Sequence, residues 1–138
     1  MIESEITMVQ GAIHNTSDLR HYMTLKKITS AVSAKANDVQ IAWSNNALKL
    51  KEVGHDIYDP TYYFPSQDVR MDLLFESKKT THCPLKGDTR YYNLRVGSLQ
   101  KDNAAWRYHK PLDTIRFLEN YIAFDCQAIQ IIEYTPEK

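Results

Sequence analysis

The feature that most constrains this chain is a short-range alternation that recurs between polar turns. In "VQIAW", residues 39–43, Val39, Ile41 and Trp43 fall on one side and Gln40 and Ala42 on the other. "ALKLKEV", residues 47–53, alternates again, with Leu48 and Leu50 set against Lys49 and Lys51. An extended chain points successive side chains to opposite faces, so this period of two marks half-buried strands. Asn37-Asp38 and "SNN" interrupt the runs, and such residues make hairpin turns. "YMTLKKI", residues 22–28, has Tyr22, Thr24, Lys26 and Ile28 in one phase, and "SAVSAKA" runs into the Asn37-Asp38 turn. The expectation is a meander of short strands.

Farther along, "TYYFP" is a short aromatic run closed by Pro65, and "VRMDLLFE" fits a strand better than a helix. "RYYNLRV" is a strand ending at Gly97, and "AAWRYH" resumes after the "GSLQKDN" turn. In "LDTIRFLENYIAF", Ile115, Leu118 and Ile122 recur at helical spacing behind a capping Asp113 or Thr114. One short helix is expected there, giving way to strand near Ile122, with "AIQIIEY" as a last β-rich run. Many strands, one helix and no βαβ rhythm predict a mainly antiparallel β domain. Residues 1–21 show no sustained period and read as an N-terminal extension to a single domain over 22–138.

A chain of 138 residues fits one domain. Its formal net charge of zero argues against nucleic-acid and membrane-surface partners, which need an uneven positive field. The N-terminus holds no apolar signal core, and no run reaches the ~20 apolar residues of a membrane span, so a soluble, cytoplasmic protein is expected. The two cysteines, Cys83 and Cys126, read as free thiols. A metal held by His82, Cys83, His109 and Cys126 lacks ligand spacing, so neither metal nor cofactor is expected. Oligomeric state stays open.

Four segments together carry a family resemblance: "YYFPSQDV" (62–69), "TTHCPLKGDTRYYNLRV" (80–96), "NAAWRYHKP" (103–111) and "NYIAF" (120–124). In this order they resemble the family known as domain of unknown function 427, sometimes labelled nucleotidyltransferase-like. The resemblance implies a compact β-rich domain, with two sheets leaning over a groove, and no established activity. The label itself needs grouped carboxylates to hold Mg²⁺ against a triphosphate. Gly97-Ser98 is present, but no D-x-D pair or phosphate-binding glycine loop occurs, and Asp102 and Asp113 are distant in sequence.

Residues 80–92 are the most chemically loaded stretch. His82 and Cys83 are neighbours on an extended chain and point apart, so they do not form a thiol–imidazole dyad. Pro84 reinforces the extended state of Cys83. A reactive Cys83 would need His109 or Lys86, and the alternative is a Cys83 that packs as a small apolar group. Gly87 suits a tight turn, which would set Lys86 at a rim where it meets an anionic ligand or solvent. The nine tyrosines, with Trp106, can line a concave site or simply fill a β core.

The leading expectation is therefore a small-ligand binding domain. Tyr63, Phe64, Tyr92 and Trp106 would wall a groove, and His82 and Lys86 would supply polar contacts to a small, flat ligand with room for an anionic group. The alternatives are a thiol-dependent enzyme, with Cys83 as nucleophile and His82 or His109 as proton carrier, and a protein-interaction module that lends a sheet edge.

Overall fold

The structure is a computed structural model that describes residues 11–134 except 55 and 57. Eleven strands form two sheets, and every strand pairing is antiparallel. The strands are β1 (Ile13–Asn15), β2 (Asp18–Lys27), β3 (Val32–Ala36), β4 (Val39–Ser44), β5 (Leu48–Val53), β6 (Thr61–Pro65), β7 (Leu74–Cys83), β8 (Gly87–Val96), β9 (Leu99–Pro111), β10 (Tyr121–Phe124) and β11 (Gln130–Glu133). An eight-stranded sheet runs β1-β2-β5-β6-β10-β9-β8-β7, and a three-stranded sheet runs β11-β3-β4. The mainly antiparallel β class expected from the alternation, and the two sheets implied by the family resemblance, are both observed.

The turn chemistry explains the hairpins. Asn37 and Asp38 both have positive φ, at 50° and 65°, the conformation a tight two-residue turn between β3 and β4 requires. The alternation is broken at one point. Ala34 pairs with Ala42 but Lys35 pairs with Gln40, so Ile41 is an extra residue in a bulge. Ile41 is buried while Val39 and Trp43 are exposed, so the three do not share one face as the period predicted.

The large sheet buries apolar side chains on both faces. Its first face meets the small sheet: Val32, Ala34 and Ile41 pack with Phe64, Tyr92, Leu94, Ile122 and Phe124. Phe64 and Phe124 meet edge to face, with ring centroids 5.6 Å apart. The second face buries Met23, Leu50, Tyr63, Leu85, Tyr108, Ile115, Leu118 and Ala123. Opposite faces are reached by adjacent residues, so Tyr63 and Phe64 serve different cores, as strand geometry demands.

The predicted helix forms as a 3-10 segment, Asp113–Asn120, rather than an α-helix. The segment kinks at Ile115, whose φ of −131° is not helical, and Ile115 and Leu118 are both buried and seal the second face. Neither Asp113 nor Thr114 caps it; the cap position is Leu112, with no side-chain cap bond. Ile122 is not its third apolar position but belongs to β10 and the first core. Residues 13–21, expected in a loose extension, form β1 and the start of β2. Their pattern escapes notice because β1 has three residues and its register shifts after His14. Residues 1–10 and the tail 135–138 lie outside the described residues. No helix among the described residues is long and apolar enough to cross a membrane.

Candidate functional site

The loaded stretch folds into the β7–β8 hairpin, which divides its side chains between the two faces of the large sheet. His82 pairs with Asp88 and Cys83 with Gly87 across the hairpin. Cys83 packs against the second core, while His82 lines a pocket with Thr80, Asp88 and His109. His82, Lys86 and Trp106 therefore do not converge on a single groove.

On the second face, the turn places Lys86 differently from the expected rim. Leu85 is buried and draws the turn down onto the sheet. The backbone of Lys86 is held on both sides: its N–H donates to the Cys83 carbonyl at 3.2 Å, and its carbonyl accepts from Leu112 N–H at 3.0 Å. The side chain is 9% exposed, donates to Glu52 Oε1 at 2.8 Å, and its ammonium lies 5.5 Å from the Tyr108 ring centroid. Gly87 makes this possible. It has φ +109°, and a Cβ there would lie 2.3 Å from the Lys110 carbonyl oxygen.

Glu52 is the hub of a chain that reaches the N-terminal hairpin. Ser17 N–H donates to Asn15 Oδ1 at 2.9 Å, which orients the amide so that Nδ2 faces His21 Nδ1 at 3.2 Å. Nδ1 then accepts, so the ring proton sits on Nε2, which donates to Glu52 Oε2 at 2.9 Å. Burial pushes the Glu52 carboxyl up, but Lys86 and His21 outweigh it and hold it below its usual range. Burial works against the Lys86 ammonium too, yet Tyr63, Tyr108, Cys83 and Glu52 hold it charged above its ordinary value. Burial keeps the Tyr63 hydroxyl protonated; it sits beside Tyr108 and Trp106 without a hydrogen bond of normal geometry. Pairings across the sheet run Tyr63 to Ala123, Ala123 to Trp106 and Trp106 to Tyr91, so these side chains share the second face. Ile115 and Leu118 fill the space above them. The second face is a packed core with a buried ion pair.

Phe64 and Tyr92 lie on the other face, inside the first core, so the four expected wall aromatics do not meet. The thiol reading loses its imidazoles for the same reason. Cys83 is on the second face, while His82 and His109 are together on the first. Cys83 and Cys126 are both free thiols. Sequence reasoning missed His21 and Glu52. For Glu52 a signal existed: it shares the alternation phase of Leu48 and Leu50, and a carboxylate in an apolar phase needs a partner.

On the first face, the end of the hairpin carries an open pocket of about 350 Å³. His82 Nδ1 and Asp88 Oδ1 are 2.8 Å apart at its edge, a bond that holds the Asp88 carboxyl below its usual range. Arg90 and Arg107 stand directly opposite each other on β8 and β9. Arg90 is neutralised by Glu76 at 2.9 Å, whereas Arg107 has no ion pair among the described residues. Arg107 Nε and His109 Nδ1 are both covered and without a hydrogen-bond partner. Burial depresses the His109 imidazole, and the positive charges of Arg90, Lys110 and Arg107 add to that, against Asp88. This corner is short of negative charge.

The fold and these two faces define an antiparallel β domain with a sealed ionic core on one side of its main sheet and an open polar pocket on the other. The chain belongs to the family described as domain of unknown function DUF427, labelled NTP_transf_9, whose model matches residues 24–135. No curated protein matches the chain. Among the described residues no three His, Cys, Asp or Glu side chains converge to hold a metal ion. Asp102 and Asp113 are separated by nearly the whole of β9, so they do not supply the carboxylate pair that metal-dependent nucleotidyl transfer uses.

Proposed function

We propose that this domain binds a small anionic ligand in the first-face pocket bounded by Thr80, His82, Asp88 and His109, with Arg107 as the principal charge contact. The observation that carries this reading is the uncompensated Arg107, set across from Arg90 and two residues from His109. Buried polar atoms without partners are rare enough to need a reason, and an anion in the pocket would supply partners for them. The volume, about 350 Å³, is in the range of small-molecule sites. In place of the aromatic wall expected from sequence, the pocket has a polar lining with Arg107 beside it, and the anionic character of the ligand becomes its defining property.

Thermal shift against a panel of anionic metabolites at low ionic strength tests this. A ligand at a hundred times its Kd adds about 2.7 kcal/mol, roughly 10 °C for a domain of this size. The rise should vanish in Arg107→Gln, persist in Trp106→Ala on the opposite face, and shrink in added salt. A rise that survives Arg107→Gln, or one lost in Trp106→Ala, would overturn the assignment.

A further inference from the structure

Resting on that reading of the pocket, the donor arrangement points further, to the kind of anion. We infer that the group held there is a tetrahedral oxyanion, a phosphate ester in preference to a carboxylate, gripped across β7 and β9 by Thr80, Arg107 and His109. The donors belong to two different strands: Thr80 and His109 line the pocket, and Arg107 lies beside it in the row next to His109. Thr80 is on β7 and pairs with Arg90 on β8, which in turn pairs with Arg107 on β9, so the three residues form one row across three strands. His109 is two residues beyond Arg107 in the same strand, and it lines the pocket together with Thr80 and His82. A planar carboxylate offers two oxygens in one plane and is satisfied by one guanidinium fork. A phosphate ester presents three terminal oxygens that diverge, which suits donors on two strands with a gap between them.

The charge count agrees. At this corner Arg90 is paired with Glu76 at 2.9 Å and Asp88 accepts a hydrogen bond from His82 at 2.8 Å, so among the described residues Arg107 and the neighbouring Lys110 are the cations with no ion pair of their own. A carboxylate brings one negative charge; a phosphate ester near neutral pH brings between one and two. The second charge has a taker in His109, whose imidazole is kept neutral by burial and by the cations Arg90, Lys110 and Arg107, with Asp88 opposing them. Bringing a dianion into that setting favours the imidazolium and adds a second charged donor.

The test compares phenyl phosphate with benzoate, which share a ring and differ in the anionic group. Isothermal titration at low ionic strength should show phenyl phosphate binding at least tenfold more tightly. Thr80→Val should weaken phenyl phosphate about fivefold and leave benzoate unchanged, because only the tetrahedral group reaches that hydroxyl. NMR of the His109 ring should show its titration midpoint rising on saturation with phenyl phosphate. Equal affinities for the two probes, or a Thr80→Val effect on both alike, would overturn the phosphate inference while leaving an anion pocket in place. Binding of neither probe, with the Arg107 and His109 resonances unmoved, would remove the pocket reading as well.

Discussion

Lys86 Nζ stands 2.8 Å from Glu52 Oε1, joining a hairpin turn to a strand 34 residues earlier in the chain. This pair ties the β7–β8 turn to β5, and through His21 and Asn15 to the N-terminal hairpin. Both side chains are largely buried, at 9% and 17% exposure, so removing one partner strands the other away from water.

Glu52→Gln should therefore destabilise the fold by about 3 kcal/mol, the lower end of the range for a broken buried pair. Glu52→Gln combined with Lys86→Met should recover most of that loss, because no uncompensated charge remains. Urea denaturation of the two singles and the double measures the coupling. A double mutant no more stable than Glu52→Gln would show that the pair is not the source of the loss.

The same pair sets a pH dependence. The Glu52 carboxyl is depressed in the fold, against the effect of burial, so its contribution is present above its unfolded value of 4.5 and lost as pH falls below that. Lys86 is shifted upward, so its contribution is complete below 10.5 and lost only as pH rises beyond. The stability gap between wild type and Glu52→Gln should hold steady from about pH 5 to pH 10 and close in acid. Urea midpoints between about pH 3 and pH 7 check the acid limb. A gap of constant size down to about pH 3 would mean that the carboxylate charge is not what stabilises.

Two glycines with positive φ should respond very differently to alanine. At Gly87 a Cβ would meet the Lys110 carbonyl oxygen at 2.3 Å, whereas at Gly97, with φ +57°, it would meet nothing within 4 Å. Gly97→Ala should cost only the left-handed backbone penalty, about 1 kcal/mol. Gly87→Ala adds a backbone clash to its strain and should cost roughly 3 kcal/mol or more. Thermal denaturation of both variants decides. Equal losses would mean that β8 does not approach β9 as closely at this turn.

Phe64 separates core from site. It is fully buried on the first face, against Phe124 and Ile122. Phe64→Leu should lower stability by about 1–2 kcal/mol through poorer packing and leave anion-induced stabilisation unchanged. Loss of the ligand response at intact fold, seen by circular dichroism, would return Phe64 to the binding wall.

The strand-rich antiparallel class and most strand positions were legible in the chain, while the two-sheet arrangement came with the family resemblance. Alternation and turn residues are local properties, and Val39–Ser44, Leu48–Val53 and Gly87–Val96 display them within a few residues. The 3-10 segment was legible as an apolar repeat at Ile115 and Leu118, but not as a helix type, which its kink at Ile115 decides. The special character of residues 80–92 was also visible, as was the separation of His82 from Cys83, since adjacent residues in a strand must point apart.

What only the tertiary structure decided was which side each residue faces after a bulge, and which distant residues meet. Register shifts at Ala34/Lys35 and Asp88/Thr89 each slip the phase by a residue, and a slip of one exchanges the two faces of a sheet. That is why Ile41 parts from Val39 and Trp43. The partner of Glu52 lay beyond any local pattern as well. An alternating strand announces that a carboxylate is turned inward, but the ammonium that meets it arrives from a turn whose path depends on Leu85 finding the core and Gly87 letting two backbones touch. Pairing of that kind is settled by the energy of the whole fold, which no window of neighbouring residues contains.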